Sequence, residues 1–340
     1  LYELVENDVF RANALGNFYN LLLSSAQSPA MLLYLDNTSN VKANANENYA
    51  REVLELHTVG VNGGYSQREV EALAEIFTGW QVKYDAFYFN PEQHNAADKV
   101  FWGQAIKGGG IDEGEQALRF LARHPATAKY ICSKLITLFV SDKPVDALLQ
   151  RCSATFIETA SQPDQMAQVL RMILTAPEFN VEQHFNSKFR TPLEFGVAAV
   201  RAFAGQVSTK GLVEETKRMG LNLYRNSVPT GWSETGDDWI STGLLQERIR
   251  FVNRLVAGSV TGIQLDPAAF FRNRGALTTE SILAESFDLL MNNQYSNVEW
   301  QTAFDILNAE GAFDLEAANA NTRLKAMLAT LLSYPACNYQ

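Results

Sequence analysis

Two carboxylates and a histidine stand close together in one predicted helix, residues 46–59. Glu52 and Glu55 are three residues apart, so a helix places them on one face. If that face turns inward, the two carboxylates raise each other's pKa into the range that acid–base catalysis uses. His57 lies near the end of the same helix, where the helix dipole favours a cation. These three residues are therefore candidate catalytic groups.

The same helix also has a structural interpretation. Arg51 is four residues from both Glu47 and Glu55, a spacing typical of ordinary ion pairs along a helix. A polar network of this kind anchors neighbouring elements without doing chemistry. The sequence leaves the catalytic and the structural interpretation open.

Oxygen-bearing side chains crowd the segment that leads into this helix, residues 36–48. A hard cation such as Ca²⁺ takes about six to eight oxygen ligands from a looped backbone. The spacing is not that of an EF-hand, and Asn and Asp also make turns and cap helices. The candidate ligands of a divalent cation are Asp36, Asn37, Asn40 and Glu47, with Asp98 further along the chain.

A second histidine, His94, precedes Asp98 by four residues. A histidine and a carboxylate at this spacing can bind a metal or form an acid–base pair. If the hairpin predicted before His94 folds over the helix at 46–59, His94 would join His57 and the two glutamates in one candidate site.

Aromatic and acidic residues lie close together at positions 231–239. Tryptophan beside carboxylates can bind sugars or cations, which makes Trp232, Glu234 and Trp239 candidate binding residues. Aromatic side chains also pin a long loop to a helical body, and the sequence does not separate the two roles.

Helical periodicity dominates the rest of the chain. Alternation over residues 80–84 and 87–89 predicts a small β-hairpin, 99–102 a third short strand, and 103–110 a glycine-rich loop. We therefore predict an all-α fold: one compact helical domain over 1–340, with a hairpin at about 80–102 and a subdivision, if any, near 221–236. The predicted helices are 17–24, 29–35, 46–59, 66–78, 112–123, 125–141, 144–159, 163–177, 187–204, 209–220, 238–257, 278–291, 297–308 and 314–334. Ser66 and Glu69 are spaced as a capping box at the start of the helix 66–78.

Composition narrows the function classes. The 340 residues are 46% hydrophobic, which is enough for a packed core. A formal net charge of −10, without a basic patch, makes nucleic acid an unfavourable partner. No apolar run reaches the roughly 20 residues of a membrane span, so we expect no transmembrane segment. Motifs of familiar serine hydrolases, zincins, P-loop NTPases and Rossmann dehydrogenases are missing from the sequence.

The chain has three cysteines without zinc-ligand spacing. Cys132 stands in an apolar helical run and is interpreted as a small buried hydrophobic residue. Cys152 and Cys337 could form a disulfide if the protein is exported.

Several blocks of sequence resemble one bacterial family, the "domain of unknown function 1800". The most specific block is NENYAREVLELHTVG at 46–60. Proteins of this kind usually carry an aromatic-His-Asn-His cluster upstream, and this sequence contains no such cluster. If the cluster contributes to a shared site, the candidate residues named above form only part of that site. The other matching blocks lie at 11–18, 28–37, 77–80, 123–128, 176–179, 188–195 and 228–239.

The resemblance implies a context rather than an activity. Such proteins are commonly exported and are often encoded beside a second family, "domain of unknown function 1501", that looks like sulfatases. We therefore expect a periplasmic or extracellular binding or assembly protein with a sulfatase-like partner. The alternatives are a metal-assisted hydrolase with an acidic and histidine site, and a matrix or filament subunit, which light scattering of the purified chain would reveal by self-assembly.

Overall fold

The computed structural model describes residues 2–207 and 209–340. The chain divides into two compact units, Leu1–Asn180 and Val181–Gln340. In the described residues, 16 α-helices and three two-stranded antiparallel sheets form these units, which confirms the all-α prediction. The irregular segment 221–236 lies inside the second unit. The single-domain organisation of residues 1–340 stays a prediction.

The helices of the first unit follow the predicted order. Ser66 caps α5 as its sequence predicts: Glu69 Oε2 accepts the Ser66 backbone N–H at 2.8 Å. The sequence analysis missed α1, which has no fully buried residue and therefore a weak periodic signal. These helices are α1 (Tyr2–Asn13), α2 (Phe18–Ala26), α3 (Pro29–Tyr34), α4 (Asn48–Glu52), α5 (Gln67–Ile76), α6 (Ile111–Ala122), α7 (Pro125–Phe139), α8 (Asp146–Glu158) and α9 (Gln165–Leu174).

Two separate hairpins follow α5. The predicted hairpin forms from β1 (Trp80–Lys83) and β2 (Ala86–Phe89). Its turn residues, Tyr84 and Asp85, both have positive φ, as a two-residue hairpin loop with the twist of its strands requires. The third strand, β3 (Lys99–Phe101), pairs with β4 (Gln104–Ile106). The interpretation of residues 103–110 as a loop is therefore wrong at β4. These residues form a strand because the backbone groups of β3 pair with them.

Large aromatic side chains form the centre of the first unit. Tyr49, Phe77 and Trp80 are fully buried, and their rings are in successive contact at 5.2 and 4.9 Å between centroids. Each such ring removes a large apolar area from water, so α4, α5 and β1 are held to one core.

A disulfide joins Cys132 in α7 to Cys152 in α8, with 5.8 Å between their Cα atoms. Both cysteines are fully buried, and Cys337 is the free, buried thiol. Cys132 is buried as expected, but it is bonded to Cys152, so the expected pairing of Cys152 with Cys337 is wrong. Two cysteines 20 residues apart meet only because α7 and α8 pack side by side.

The second unit contains seven helices and one short sheet among its described residues. Its core includes the fully buried rings of Phe251, Phe271 and Phe287. The helix α13, which begins at Pro267, lies outside the predicted helices. The elements are α10 (Pro192–Arg201), β5 (Gln206–Val207), α11 (Thr209–Arg218), α12 (Thr242–Val256), β6 (Ile263–Gln264), α13 (Pro267–Asn273), α14 (Thr279–Met291), α15 (Asn297–Asn308) and α16 (Ala320–Leu332).

The ends of the second unit are joined by backbone pairing. The backbone N–H of Arg190 donates to the carbonyl of Asn338 at 2.7 Å, and Phe189 and Tyr339 form an antiparallel bridge. None of the helices in the described residues has the length and apolarity that a membrane span requires.

Candidate functional site

The helix that carries the predicted acid–base residues changes its winding after α4. Residues Val53–His57 continue it as a π-helical turn. Thr58 ends the turn, and its hydroxyl donates to the carbonyl of Val53 at 2.7 Å. The N–H of Gly60 then donates to the carbonyl of Leu54 at 3.0 Å. π-helical turns are rare and occur frequently at functional sites, which makes this turn a candidate functional site.

Gly60 fixes how α7 packs against the end of this turn. Its φ is +79°, and a Cβ atom there would lie 2.7 Å from Cδ2 of Tyr130. Only glycine combines that backbone conformation with the close approach of the ring. Lys134, one turn along α7, places its Nζ 5.5 Å from the centre of the Tyr130 ring.

The two carboxylates of the turn have different surroundings. Glu55 Oε1 accepts the Tyr65 hydroxyl at 2.6 Å and lies 4.0 Å from Arg51 Nη1. In the described part of the chain, the Glu52 carboxylate has no hydrogen-bond partner. Burial raises the pKa of Glu52, repulsion from Glu55 adds to the rise, and Arg51 opposes it. Glu52 is therefore the carboxyl group better suited to donate a proton.

His57 is held in one tautomer. Its Nδ1 lies 2.9 Å from the carbonyl oxygen of Glu52. A carbonyl only accepts, so Nδ1 carries the proton and Nε2 keeps its lone pair. Burial lowers the pKa of His57, the hydrogen bond to Glu52 opposes this, and the charge of Lys134 adds to the lowering. The lowered pKa favours the neutral imidazole, against the preference of the helix dipole for a cation.

The structural interpretation of the same helix is also realised. Arg51 Nη2 contacts Glu47 Oε2 at 3.0 Å, and Gln67 Nε2 donates to the same oxygen at 2.7 Å. These contacts hold α4 to the start of α5. The side chains are more than one-third exposed, so the ion pair itself contributes little to stability. Glu47, also a candidate metal ligand, is thus engaged by two donors.

His94 lies in a separate, buried network. Its Nδ1 faces the carbonyl of Thr78 at 2.8 Å, and its Nε2 faces Glu113 Oε1 at 2.8 Å. Lys99 Nζ contacts Glu113 Oε2 at 2.6 Å and also donates to the carbonyl of Asn95. His94, Lys99 and Glu113 are each less than 5% exposed. The network therefore connects the start of α6 to the segments on either side of the second hairpin.

Glu113 remains charged in this setting. Burial by itself raises the pKa of Glu113, but the hydrogen bonds from Lys99 and His94 more than offset that effect. The backbone N–H groups of Gly109 and Gly110 add two further hydrogen bonds at 2.8 and 3.0 Å. The net result is a lowered pKa and a carboxylate with its accepting positions in use.

Asp98 is not the partner of His94. Asp98 Oδ2 pairs with Lys107 Nζ at 2.5 Å, and Oδ1 accepts the N–H of Gly108 at 3.1 Å. The predicted His94–Asp98 pair is therefore wrong, and Glu113 occupies that role. His57 and His94 share no partner among the described contacts, so these contacts do not bring the two predicted halves of the site together.

The loop at 36–48 uses its amide side chains to fix its own shape. Asn37 Nδ2 donates to the carbonyl of Trp80 at 2.9 Å. Asn40 Nδ2 donates to Asn37 Oδ1 at 3.1 Å, and Asn40 Oδ1 accepts the N–H of Asn46 at 2.9 Å. Asn37 and Asn40 are fully buried. The observed hydrogen bonds are the turn and cap chemistry that the sequence offered as the alternative to a cation site.

The remaining acidic candidate in this loop is Asp36. It adopts a left-handed backbone conformation with φ of 60°, and it is exposed. Among the described residues, no group of three or more His, Cys, Asp or Glu side chains is placed to hold a metal ion. Calcium at this loop stays a prediction.

The tryptophan loop belongs to the second unit. Trp239 is buried in a small core cluster with Phe189 and Leu221, and its Nε1 donates to the carbonyl of Ser233 at 3.1 Å. Trp232 lies 6.0 Å from Trp239 between ring centroids and is 37% exposed, while Glu234 is exposed. Trp239 thus pins the loop, and Trp232 and Glu234 are the two members available to a ligand.

Sequence reasoning missed Glu113, Lys99 and Tyr65. Glu113 had one usable signal: it is the third residue of α6 after a run of glycines, where an acidic side chain favours a helix start. Lys99 and Tyr65 carry no signal of this kind, because their partners are 14 and 10 residues away.

Comparison with protein families gives one match. Residues 1–339 match the family described as "Protein of unknown function (DUF1800)", and the chain belongs to that family. No curated protein and no solved structure matches the chain. The resemblance seen in the sequence blocks is therefore confirmed.

Proposed function

We propose that this member of the DUF1800 family is an exported binding or assembly protein at the bacterial cell surface or in the periplasm, acting with a sulfatase-like partner. The observation that carries the proposal is the buried disulfide between Cys132 and Cys152. Structural disulfides form and persist in oxidising compartments and are rare in the cytosol. Export is the setting in which this bond would be maintained.

The use of the polar side chains favours binding over catalysis. His94, Glu113, Asn37 and Asn40 are buried, and their side chains make internal hydrogen bonds. A saturated network of this kind rigidifies a scaffold and leaves few groups to act on a substrate. A rigid scaffold suits a protein that presents a surface to a partner.

The partner that we propose is a sulfatase-like protein, since proteins that resemble this family are often encoded beside one. The experiment is cross-linking of intact cells, followed by purification of the chain and mass spectrometry. A cross-linked sulfatase-like protein at constant stoichiometry supports the proposal. Recovery of the chain alone from cross-linked cells, with a known envelope complex recovered in parallel, contradicts it.

The second candidate is a hydrolase that uses Glu52 and His57. The specific observation is that one helical turn carries a carboxyl group whose pKa is raised and an imidazole whose pKa is lowered, and that neither the Glu52 carboxylate nor His57 Nε2 has a hydrogen-bond partner among the described residues. A protonated carboxyl group can act as a general acid and a neutral imidazole as a general base. A cation in this mechanism stays a prediction.

The test compares turnover of p-nitrophenyl acetate, phosphate and sulfate, with and without EDTA. The hydrolase hypothesis expects Glu52→Gln to reduce turnover by at least about tenfold at an unchanged melting temperature. Glu71→Gln is the matched control, since it removes an exposed carboxylate of the neighbouring helix α5. Equal turnover by Glu52→Gln and Glu71→Gln, or no turnover by the wild type, removes this candidate.

A further inference from the structure

A small apolar pocket lies within the second unit. Its volume is about 260 Å³, below the usual range for drug-sized ligands. Ile240 and Ile249 also line it, and both are exposed, which places them at its mouth. Its apolar walls come mainly from Phe189, Phe195, Leu245, Leu332, Pro335 and Tyr339.

One cation lines this mainly apolar pocket, together with the polar residues Ser333 and Asn338. Arg248 in α12 is 2% exposed. Its guanidinium carbon lies 4.4 Å from the ring centre of Phe189 and 5.0 Å from that of Phe195. Nη1 donates to Asn338 Oδ1 at 3.0 Å, and Nη2 donates to the carbonyl of Arg190 at 2.6 Å.

The charge of Arg248 has no ionic partner. Both of its hydrogen-bond acceptors are neutral, and in the described residues neither Arg248 nor Arg190 forms an ion pair. Its Nε is buried and has no hydrogen-bond partner within the described part of the chain. Burial lowers the pKa of Arg248 to about 10, repulsion from Arg190 adds to this, and the more distant Glu194 opposes it.

A buried cation without a counter-ion is unfavourable unless another group supplies the negative charge. Glu194 does not supply it by contact, because its carboxylate accepts the N–H of Thr191 at 2.8 Å and the side chain of Gln340 at 3.2 Å. A carboxylate suits the planar guanidinium, whose remaining N–H groups are donors only.

We propose that this pocket binds a small monocarboxylate with a compact apolar body, whose carboxylate pairs with Arg248. The apolar body would contact the walls of Phe195 and Leu245. The small volume excludes long acyl chains, so the ligand is a free small acid rather than a membrane lipid.

The test is isothermal titration calorimetry of the purified chain with 3-phenylpropanoate. We expect one site per chain and binding at least about tenfold tighter than that of 3-phenylpropanamide, which lacks only the charge. Palmitate, which has a long acyl chain, and sodium sulfate, which has no apolar body, are titrated as negative controls. Neither should bind at this site. Equal affinity for the acid and the amide, or no binding of the acid at millimolar concentration, overturns the proposal.

Two variants assign the binding to this pocket. Arg248→Met should weaken binding of 3-phenylpropanoate by at least about tenfold, whereas Arg250→Met, at an exposed arginine paired with Glu247 on the same helix, should not. Ile249→Trp should block the mouth while retaining Arg248, so it tests the pocket even if Arg248→Met unfolds. Unchanged affinity in Ile249→Trp contradicts the assignment.

Discussion

His94 Nε2 lies 2.8 Å from Glu113 Oε1, and both side chains are almost completely buried. Lys99 contacts the other oxygen of the same carboxylate at 2.6 Å. One negative charge thus serves two buried nitrogen-bearing groups that come from different segments of the first unit. Removing that charge leaves the partners without compensation, which costs far more than the loss of an exposed ion pair.

Glu113→Gln should therefore lower the free energy of unfolding by about 3–5 kcal/mol. The measurement is urea denaturation followed by tryptophan fluorescence. Asp112→Asn, which removes an exposed carboxylate from the preceding position of α6, is the control and should cost less than about 1 kcal/mol. Equal losses in the two variants would show that the buried network contributes no more than a surface charge.

Gly60→Ala should destabilise the first unit more than Gly64→Ala does. Both glycines have positive φ, at +79° and +86°, so alanine at either site costs about 1–2 kcal/mol in backbone strain. Only at Gly60 does the new Cβ meet Tyr130, at 2.7 Å, which adds about 1–3 kcal/mol of overpacking. The difference in melting temperature between the two variants measures that ring contact, and indistinguishable values would contradict it.

The stability of the chain should fall as the pH decreases below about 6.5, partly because of His57. Its pKa in the folded protein is lowered from the ordinary value of 6.5, so the unfolded chain binds the proton first. His57→Asn should make the free energy of unfolding depend less steeply on pH. The reduction is less than about 1.4 kcal/mol per pH unit, which is the steepest slope that the binding of one proton can cause. Melting temperatures between pH 5 and 8 provide the measurement. A wild-type slope that is unchanged in His57→Asn would mean that His57 titrates alike in both states.

Reduction of the disulfide should lower the free energy of unfolding by about 3 kcal/mol, because it closes a loop of 20 residues. The measurement is a pair of thermal melts with and without dithiothreitol. The variant Cys132→Ala/Cys152→Ala should be unaffected by the reductant, whereas Cys337→Ala should respond as the wild type does. A wild-type melt that is independent of reductant contradicts a structural role for the bond.

The elements that sequence predicted well are those with a strong local signal. The capping box at Ser66 and the alternation from Trp80 to Phe89 are each contained in a few residues, and both formed as expected. The helix α1 escaped because it buries none of its residues completely. The strand β4 escaped because glycines around it are more typical of a loop.

The candidate site was harder to predict because its contacts join distant segments. Local spacing offered Asp98 as the partner of His94, but Glu113 lies 19 residues from that histidine, and the second hairpin stands between them in the sequence. The disulfide has the same origin, since it depends on the packing of α7 against α8. The π-helical turn at Val53–His57 has no local sequence rule, so the different surroundings of Glu52 and Glu55 could not be foreseen.

The most direct test of an exported protein with a built-in disulfide is thiol labelling of the chain from its native cells. Intact cells are lysed into denaturant with iodoacetamide, and the labels on the chain are located by mass spectrometry, with and without prior reduction. We predict one label without reductant, on Cys337, and three after reduction. Labels on Cys132 and Cys152 without reductant would contradict both the bond and the proposed export.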